Sequence, residues 1–256
     1  MVKLLGALWK KGWRPALVLL LLLTIWEVTV KVADVPTWLL PAPSVIVLEG
    51  WSNFGNITHH LQSTIGLALT GFVIGCSVGL IVAILLHLLP GVREAVYPLL
   101  ILSQNVPIIV LAPLLVIWFG FGVLPKIIII TLVCFFPITI AALGGFKNTP
   151  PEMKHYMLMA GANKLQLFSK LEWPNSLPAL FSGLKIAATY SVMGAVISEW
   201  LGAKQGIGVY MTLASSSFRT DRVFVAIFIV MILSLLFFGI ITLFENLLIK
   251  GRRKGA

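Results

Sequence analysis

Charge is scarce in this 256-residue chain: Asp, Glu, Lys and Arg make up only 11% of it, and hydrophobic residues 59%. A soluble domain carries about 25% charged residues, so a water-exposed globule is excluded and a polytopic membrane protein is implied. Catalytic signatures are also missing. There is no GxxxxGK[ST] phosphate loop, so the chain has no ATP-hydrolysing machinery of its own, and no HExxH, no GxSxG and no usefully spaced carboxylate pair. An intramembrane protease or transferase is therefore unsupported. Cysteine is limited to Cys76 and Cys134, both in apolar stretches and without a CxxC or Cys/His cluster, which reads as small core residues rather than ligands or a disulfide. His59 and His60 are adjacent, point apart on a helix, and read as interface residues, not metal ligands.

The charge that is present is basic, with a net value of +10. Its placement around the apolar runs argues for membrane topology rather than nucleic-acid binding. Six spans are expected. The first, about Pro15 to Val32, follows a basic segment and resembles a signal peptide. No small-x-small cleavage site follows, and Glu27 and Lys31 extend it with a helical i,i+4 pair, so it reads as uncleaved. The second, about Leu61 to Leu88, carries Gly71, Gly75 and Gly79, a small-residue ridge for close packing within one subunit or across a dimer. The third lies between Ala95 and Pro125 and contains Pro98, Ser103, Gln104, Asn105 and Pro107, polar groups that must face protein or water. Ile127 to Phe146, with Pro137, forms the fourth, Leu177 to Leu201 the fifth and Val223 to Phe244 the sixth. On the fifth, Gly183, Ala187, Ser191, Ala195 and Glu199 recur every four residues.

With the N-terminus inside, the inner side receives Lys3, Lys10, Lys11, Arg14, Arg93, Lys147, Lys154, Lys164, Lys170 and the C-terminal basic tail. The outer side receives only Lys31, Lys126, Lys204, Arg219 and Arg222. That asymmetry places both termini in the cytoplasm. The expected organisation is a basic N-terminus over 1–14, a membrane domain over 15–248 and a basic tail over 249–256.

The longest polar interruption, Thr149 to Pro178, then falls on the cytoplasmic side. Thr149 is suited to cap a helix, Pro150 to its first position and Glu152 to a capping box, with Gly161 as a left-handed stop. Asn163 with Gln166 repeats the capping signal for a second short helix, expected to run to about Glu172 before Pro174 breaks it. A helix–Gly–helix–Pro unit of this kind is a rigid element built to dock.

This loop resembles the Glu-Ala-Ala loop of the permease subunits of type I ABC importers. Gly161, Leu171, Trp173 and Pro174 fall at the family's spacings, while His155, Tyr156 and Met157 stand where Glu-Ala-Ala is usual. LAPLLVIWFGFG (Leu111 to Gly122), FFPI (Phe135 to Ile138) and ISEWLGAKQGIG (Ile197 to Gly208) are similar to the branch that imports nitrate, sulfonates, taurine and pyrimidine precursors of thiamine. Pro107 to Lys126 is closer to the pyrimidine-precursor members. The resemblance, from about Leu40 onward, implies an all-α membrane domain in the bacterial inner membrane. It implies a non-catalytic subunit working with cytoplasmic ATPase subunits, an external solute-binding protein and a second permease copy. ATP and Mg would sit on the ATPase, and this chain would bind no cofactor. The coupling residues it implies are Glu152, His155, Tyr156, Met157, Gly161, Ala162, Leu171 and Pro174. By their chemistry Ser103, Gln104, Asn105, Thr189 and Tyr190 are candidates for the translocation path, and Glu199 for structure or gating. An ion- or proton-coupled carrier using Glu199 and a non-transporting membrane scaffold or receptor subunit are the alternatives.

Overall fold

The computed structural model describes residues 2–250, with side chains from 13 to 249; the expected basic tail lies, from residue 251 onward, outside them, as do the side chains of Lys3, Lys10 and Lys11. Eleven α-helices and no strand occur among the described residues. Among the described residues five helical runs are long and apolar enough to cross a membrane, and a bent pair brings the number to six where it is taken as one span. The chain divides into two compact units: Met1–Thr58 with Tyr210–Phe228, and His59–Val209 with Ile229–Ala256.

In the first unit, α1 (Val2–Val32) leaves Leu17 to Leu22 exposed, and among its described side chains Val30 is the buried one. An apolar surface of this kind suits lipid. The expected Glu27–Lys31 pair forms at 2.6 Å. The same carboxylate has a second task that the sequence did not disclose. Helix α2 (Pro43–Ser52) begins at Ala42, which has no side-chain acceptor for the unpaired amides of the first turn. Glu27 supplies it from α1, accepting from the Ser44 amide at 2.9 Å and its hydroxyl at 2.6 Å. Further on, Glu49 receives Arg222 Nε at 2.7 Å and Arg219 Nη2 at 2.9 Å, while Asp221 pairs with Arg219 at 2.8 Å.

The second unit is built around α6 (Val123–Lys147), whose Ile129, Ile130, Cys134, Ile138, Ala142, Leu143 and Phe146 are all buried. Lipid offers no hydrophobic drive for helix pairing, so close packing must supply it. Both neighbouring helices approach α6 over glycine. On α3 (Phe54–Leu88), a Cβ at Gly71 would sit 2.4 Å from Ile130 Cγ2, one at Gly75 2.7 Å from Cys134 Cβ, and one at Gly79 2.8 Å from the Phe135 carbonyl. The glycine ridge is thus consumed by packing within the chain. On α9 (Trp173–Glu199), Gly183 meets Ala141 and the Pro137 carbonyl at 2.6 and 2.9 Å. The whole ridge Gly183, Ala187, Ser191, Ala195, Glu199 is buried.

The third expected span is not one straight helix. α4 (Pro90–Ser103) and α5 (Ile108–Phe119) meet at 98° across residues 104–107. Pro107 lacks an amide to continue α4, and it steers the preceding residue out of helical conformation. At the break Ser103 and Asn105 turn their side chains back onto the carbonyls of Leu100 (2.8 Å) and Ile101 (3.2 Å), satisfying part of the freed backbone. The remaining helices are α7 (Pro151–Met159), α8 (Lys164–Leu167), α10 (Ile207–Ser216) and α11 (Thr220–Lys250).

Candidate functional site

Three places in the second unit hold the residues singled out above. The first is the polar segment after α6. Its opening differs from expectation by one residue: the helix cap is Pro150 and the first helical position Pro151. A residue before proline is driven out of the helical region, and Pro150 is accordingly extended, with ψ 126°. Thr149 instead closes α6, its hydroxyl donating to the Phe146 carbonyl at 3.1 Å. Glu152 therefore stands in the first turn of α7 without making a capping box, exposed, where the helix dipole still favours it.

The end of α7 matches the pattern read from Gly161. Its φ is +82°, the Gly161 amide donates to the Leu158 carbonyl, and the Ala162 amide donates to the Met157 carbonyl, both at 3.0 Å. This is the paired 5→2 and 6→1 closure of a Schellman turn. Asn163 and Gln166 then form a reciprocal capping box at 2.8 and 2.9 Å. Between these caps α7 presents an apolar surface: Met153, Tyr156 and Met159 are 55, 72 and 81% exposed, and Leu165 on α8 is 70% exposed. His155 is exposed beside them, Met157 and Ala162 are half-buried, and Leu171 is buried.

Pro174 does not break the second helix. A π-helical turn, Phe168–Glu172, lets the Trp173 amide reach the Phe168 carbonyl five residues back. The wider turn makes room for a ring that would otherwise strike the backbone of the preceding turn. Lys164 to Glu199 consequently runs as one apolar 36-residue helical stretch. The π turn also buries Glu172, which sequence reasoning had passed over as a helix end. One carboxylate oxygen accepts from Lys154 Nζ at 2.7 Å and the other pairs with His87 Nε2 at 2.6 Å. The available signal was an acidic residue between two apolar ones in a segment rich in lysine.

The second place is a cavity of about 430 Å³ lined by Gln104, Ile108, Val133, Phe136, Pro137, Ile140, Ala141, Ser182, Gly183, Ile186 and Tyr190. It lies beside the α4–α5 break. Of the path candidates it brings together Gln104 and Tyr190 and adds Ser182, which was not foreseen. Ser103, Asn105 and Thr189 do not line it; Thr189 turns back to the Lys185 carbonyl at 3.1 Å. No lining side chain is charged.

The third is the buried end of α9. Glu199 is 2% exposed, yet both its oxygens are occupied: Thr64 donates to Oε1 and the Gly208 amide to Oε2, each at 2.7 Å. Thr64 in turn accepts the Ile207 amide at 2.8 Å, and His60 Nδ1 accepts the Gly206 amide at 3.1 Å. Gly206 has φ +132°, and a Cβ there would fall 2.1 Å from the Glu199 carboxyl carbon. The segment Ile197 to Gly208 is thus folded around one carboxylate. Among the described residues no group of three or more His, Cys, Asp or Glu side chains is placed to hold a metal.

Comparison with known proteins agrees with this architecture. Residues 71–250 match the family described as binding-protein-dependent transport system inner membrane component. The formylaminopyrimidine transport permease protein ThiX of Halalkalibacterium halodurans is 36% identical over 241 residues, covering 94% of this chain and 96% of that one. The riboflavin transport system permease protein RibX of Chloroflexus aurantiacus is 30% identical, covering 91 and 87%. A putative aliphatic sulfonates transport permease protein, SsuC of Bacillus subtilis, is 30% identical over 94 and 88%. With its apolar helices and with a family match across most of its length, this chain belongs to the binding-protein-dependent transport system inner membrane components, the multi-pass permease subunits of ABC importers.

Proposed function

We propose that this chain, paired with a second copy, forms the translocation pathway of an ATP-driven importer for a small, uncharged nitrogen-heteroaromatic solute. A separate cytoplasmic ATPase supplies the energy through Thr149–Pro178, and an external binding protein delivers the solute. ATP and Mg are held by the ATPase.

The observation that carries the coupling reading is the surface of α7. A short helix closed at its C-terminal end by a Schellman turn keeps Met153, Tyr156 and Met159 exposed. Apolar and aromatic groups of this kind are the usual anchors of a protein interface. Gly161, Leu171 and Pro174 set the shape of the loop, Glu152 and His155 its polar edge.

For the solute, the relevant feature is the uncharged lining of the cavity. Gln104, Ser182 and Tyr190 offer neutral donors and acceptors among apolar and aromatic walls, with no cation to balance a sulfonate or nitrate. That chemistry suits a planar heterocycle, and two of the relatives bear the names of heteroaromatic solutes, formylaminopyrimidine and riboflavin. Glu199 is saturated by Thr64 and Gly208 and does not line the cavity, which disfavours a proton-coupled carrier.

Co-purification with an ATPase, followed by uptake of labelled formylaminopyrimidine and labelled taurine into proteoliposomes holding ATP, tests both parts. ATP-dependent uptake of the pyrimidine, weakened in Gln104→Ala and Tyr190→Ala, is the expected result. Purification without any ATPase would overturn the coupling reading, and uptake of taurine alone would overturn the solute class.

A further inference from the structure

We propose that Glu172 is a positioning residue that clasps the coupling loop to the membrane helices, and that the link Lys154–Glu172–His87 carries motion between them. The inference rests on the importer reading above and adds to it the residues through which the loop's displacement reaches the spans.

The three groups come from three elements. Lys154 stands on α7, Glu172 in the π turn that leads into α9, and His87 in the last turn of α3. Glu172 is 3% exposed, and each of its oxygens holds one partner, at 2.7 Å to Lys154 and 2.6 Å to His87. A carboxylate so deeply buried is costly unless both oxygens are paired, so its partners are held in place. The imidazole of His87 is fixed in turn by rings from two other elements, with Phe146 at 4.8 Å and Phe168 at 5.8 Å between centroids. Its Nδ1 is buried and has no partner among the described residues, so Nε2 makes its one polar contact, to the Glu172 carboxylate.

α7 has little else to hold it. Of its side chains only Lys154 and Met157 are half-buried and the rest are exposed. Among the described residues Lys154 is therefore its one charged tether to the residues beneath, and a push on α7 is delivered through Glu172 to the ends of α3 and α9 together. The lysine side chain is 43% exposed and the Glu172 side chain only 4%, so removing the lysine leaves one oxygen of a buried carboxylate without its partner.

The test uses the complex with its ATPase in nanodiscs, in a chain carrying Cys76→Ala, Cys134→Ala and Gln104→Cys. The readout is the ratio of maleimide labelling rates at position 104 with and without ATP, which reports motion at the cavity and needs no solute. Lys154→Met should leave the ATPase bound, with the melting temperature lowered by the unpaired Glu172 oxygen, but shrink the ATP-dependent ratio by about fivefold or more. Lys154→Arg should restore it, and Glu172→Gln should reproduce the loss. A ratio in Lys154→Met equal to that of the parent would overturn the proposal. So would loss of the ATPase from that variant, since Lys154 would then be a docking group. Absence of the ATPase from the parent itself would instead remove the importer reading. Should Glu172→Gln fail to assemble, Lys154→Met and Lys154→Arg still decide.

Discussion

Gly161 offers a way to separate the shape of the coupling loop from its packing. A Cβ placed there meets no atom within 4 Å, yet the backbone sits at φ +82°. The penalty of a substitution is then purely conformational. An L-residue in the left-handed region costs about 1–2 kcal/mol, and a β-branched one more. If the turn opens, the two closures of the helix end are lost as well, the Gly161–Leu158 and Ala162–Met157 bonds, at about 1 kcal/mol each. A change of 1–2 kcal/mol moves a two-state population by a factor of about 5–30, enough to take most α7 helices out of docking geometry. Gly161→Asn, which tolerates this region, should retain most ATPase stimulation and uptake. Gly161→Ala should be intermediate, and Gly161→Val should insert normally yet lose most of both. Each is measured as ATP hydrolysed and solute imported by equal amounts of reconstituted complex. Normal coupling in Gly161→Val would refute the reasoning, and so would an asparagine variant as impaired as the valine one.

Gly75→Leu should lower the melting temperature in detergent sharply, because its Cβ would stand 2.7 Å from Cys134 and 2.8 Å from the Thr131 carbonyl; overpacking costs about 1–3 kcal/mol. Gly66→Leu on the same helix, with nothing within 4 Å, should not, and equal effects would contradict the packing described. Glu199→Ala strands the Gly208 amide, at about 1–3 kcal/mol for a buried group left unmet, while the Thr64 hydroxyl keeps the His60 carbonyl as an acceptor at 3.2 Å. It should reduce assembly or maximal uptake rate, whereas Glu199→Gln should be milder. A changed apparent affinity with an unchanged maximal rate would mark Glu199 as a solute contact instead. Glu152→Gln should weaken the salt dependence of ATPase binding if its exposed charge faces a basic group; unchanged affinity and salt dependence would leave Glu152 only its dipole role in α7.

How much of this was readable in advance depended on whether the cause was local. The Gly161 stop and the Asn163–Gln166 box are set by residues three or four apart, and both form as their spacing dictates. The apolar runs foretold the spans for the same reason. Thr149 was misassigned because two competing prolines decide the helix start, and the second one governs. Pro174 was read as a break because a proline's missing amide is visible in sequence, whereas the π turn that accommodates it depends on what the neighbouring helices bury. Gln104 and Tyr190 were picked for their chemistry, but only the fold selects them over Ser103, Asn105 and Thr189. Glu172 and the Glu27–Ser44 cap were missed because their partners lie 85 and 17 residues away.

The uninterrupted run from Lys164 to Glu199 has a mechanical consequence. Thirty-six helical residues measure about 54 Å, against a hydrocarbon core of about 30 Å, so the rod overhangs the apolar layer by some 24 Å. Along it α9 is seated on α6 without clearance at three levels: Ser176 against Gly145, Gly183 on Ala141 and the Pro137 carbonyl, and Gly194 on Val133. From Ser176 to Gly194 these contacts cover about 27 Å of the rod. Over that length the two helices can move only as one body, so a displacement of the Lys164 end would carry α6 with it rather than pivot α9 against it.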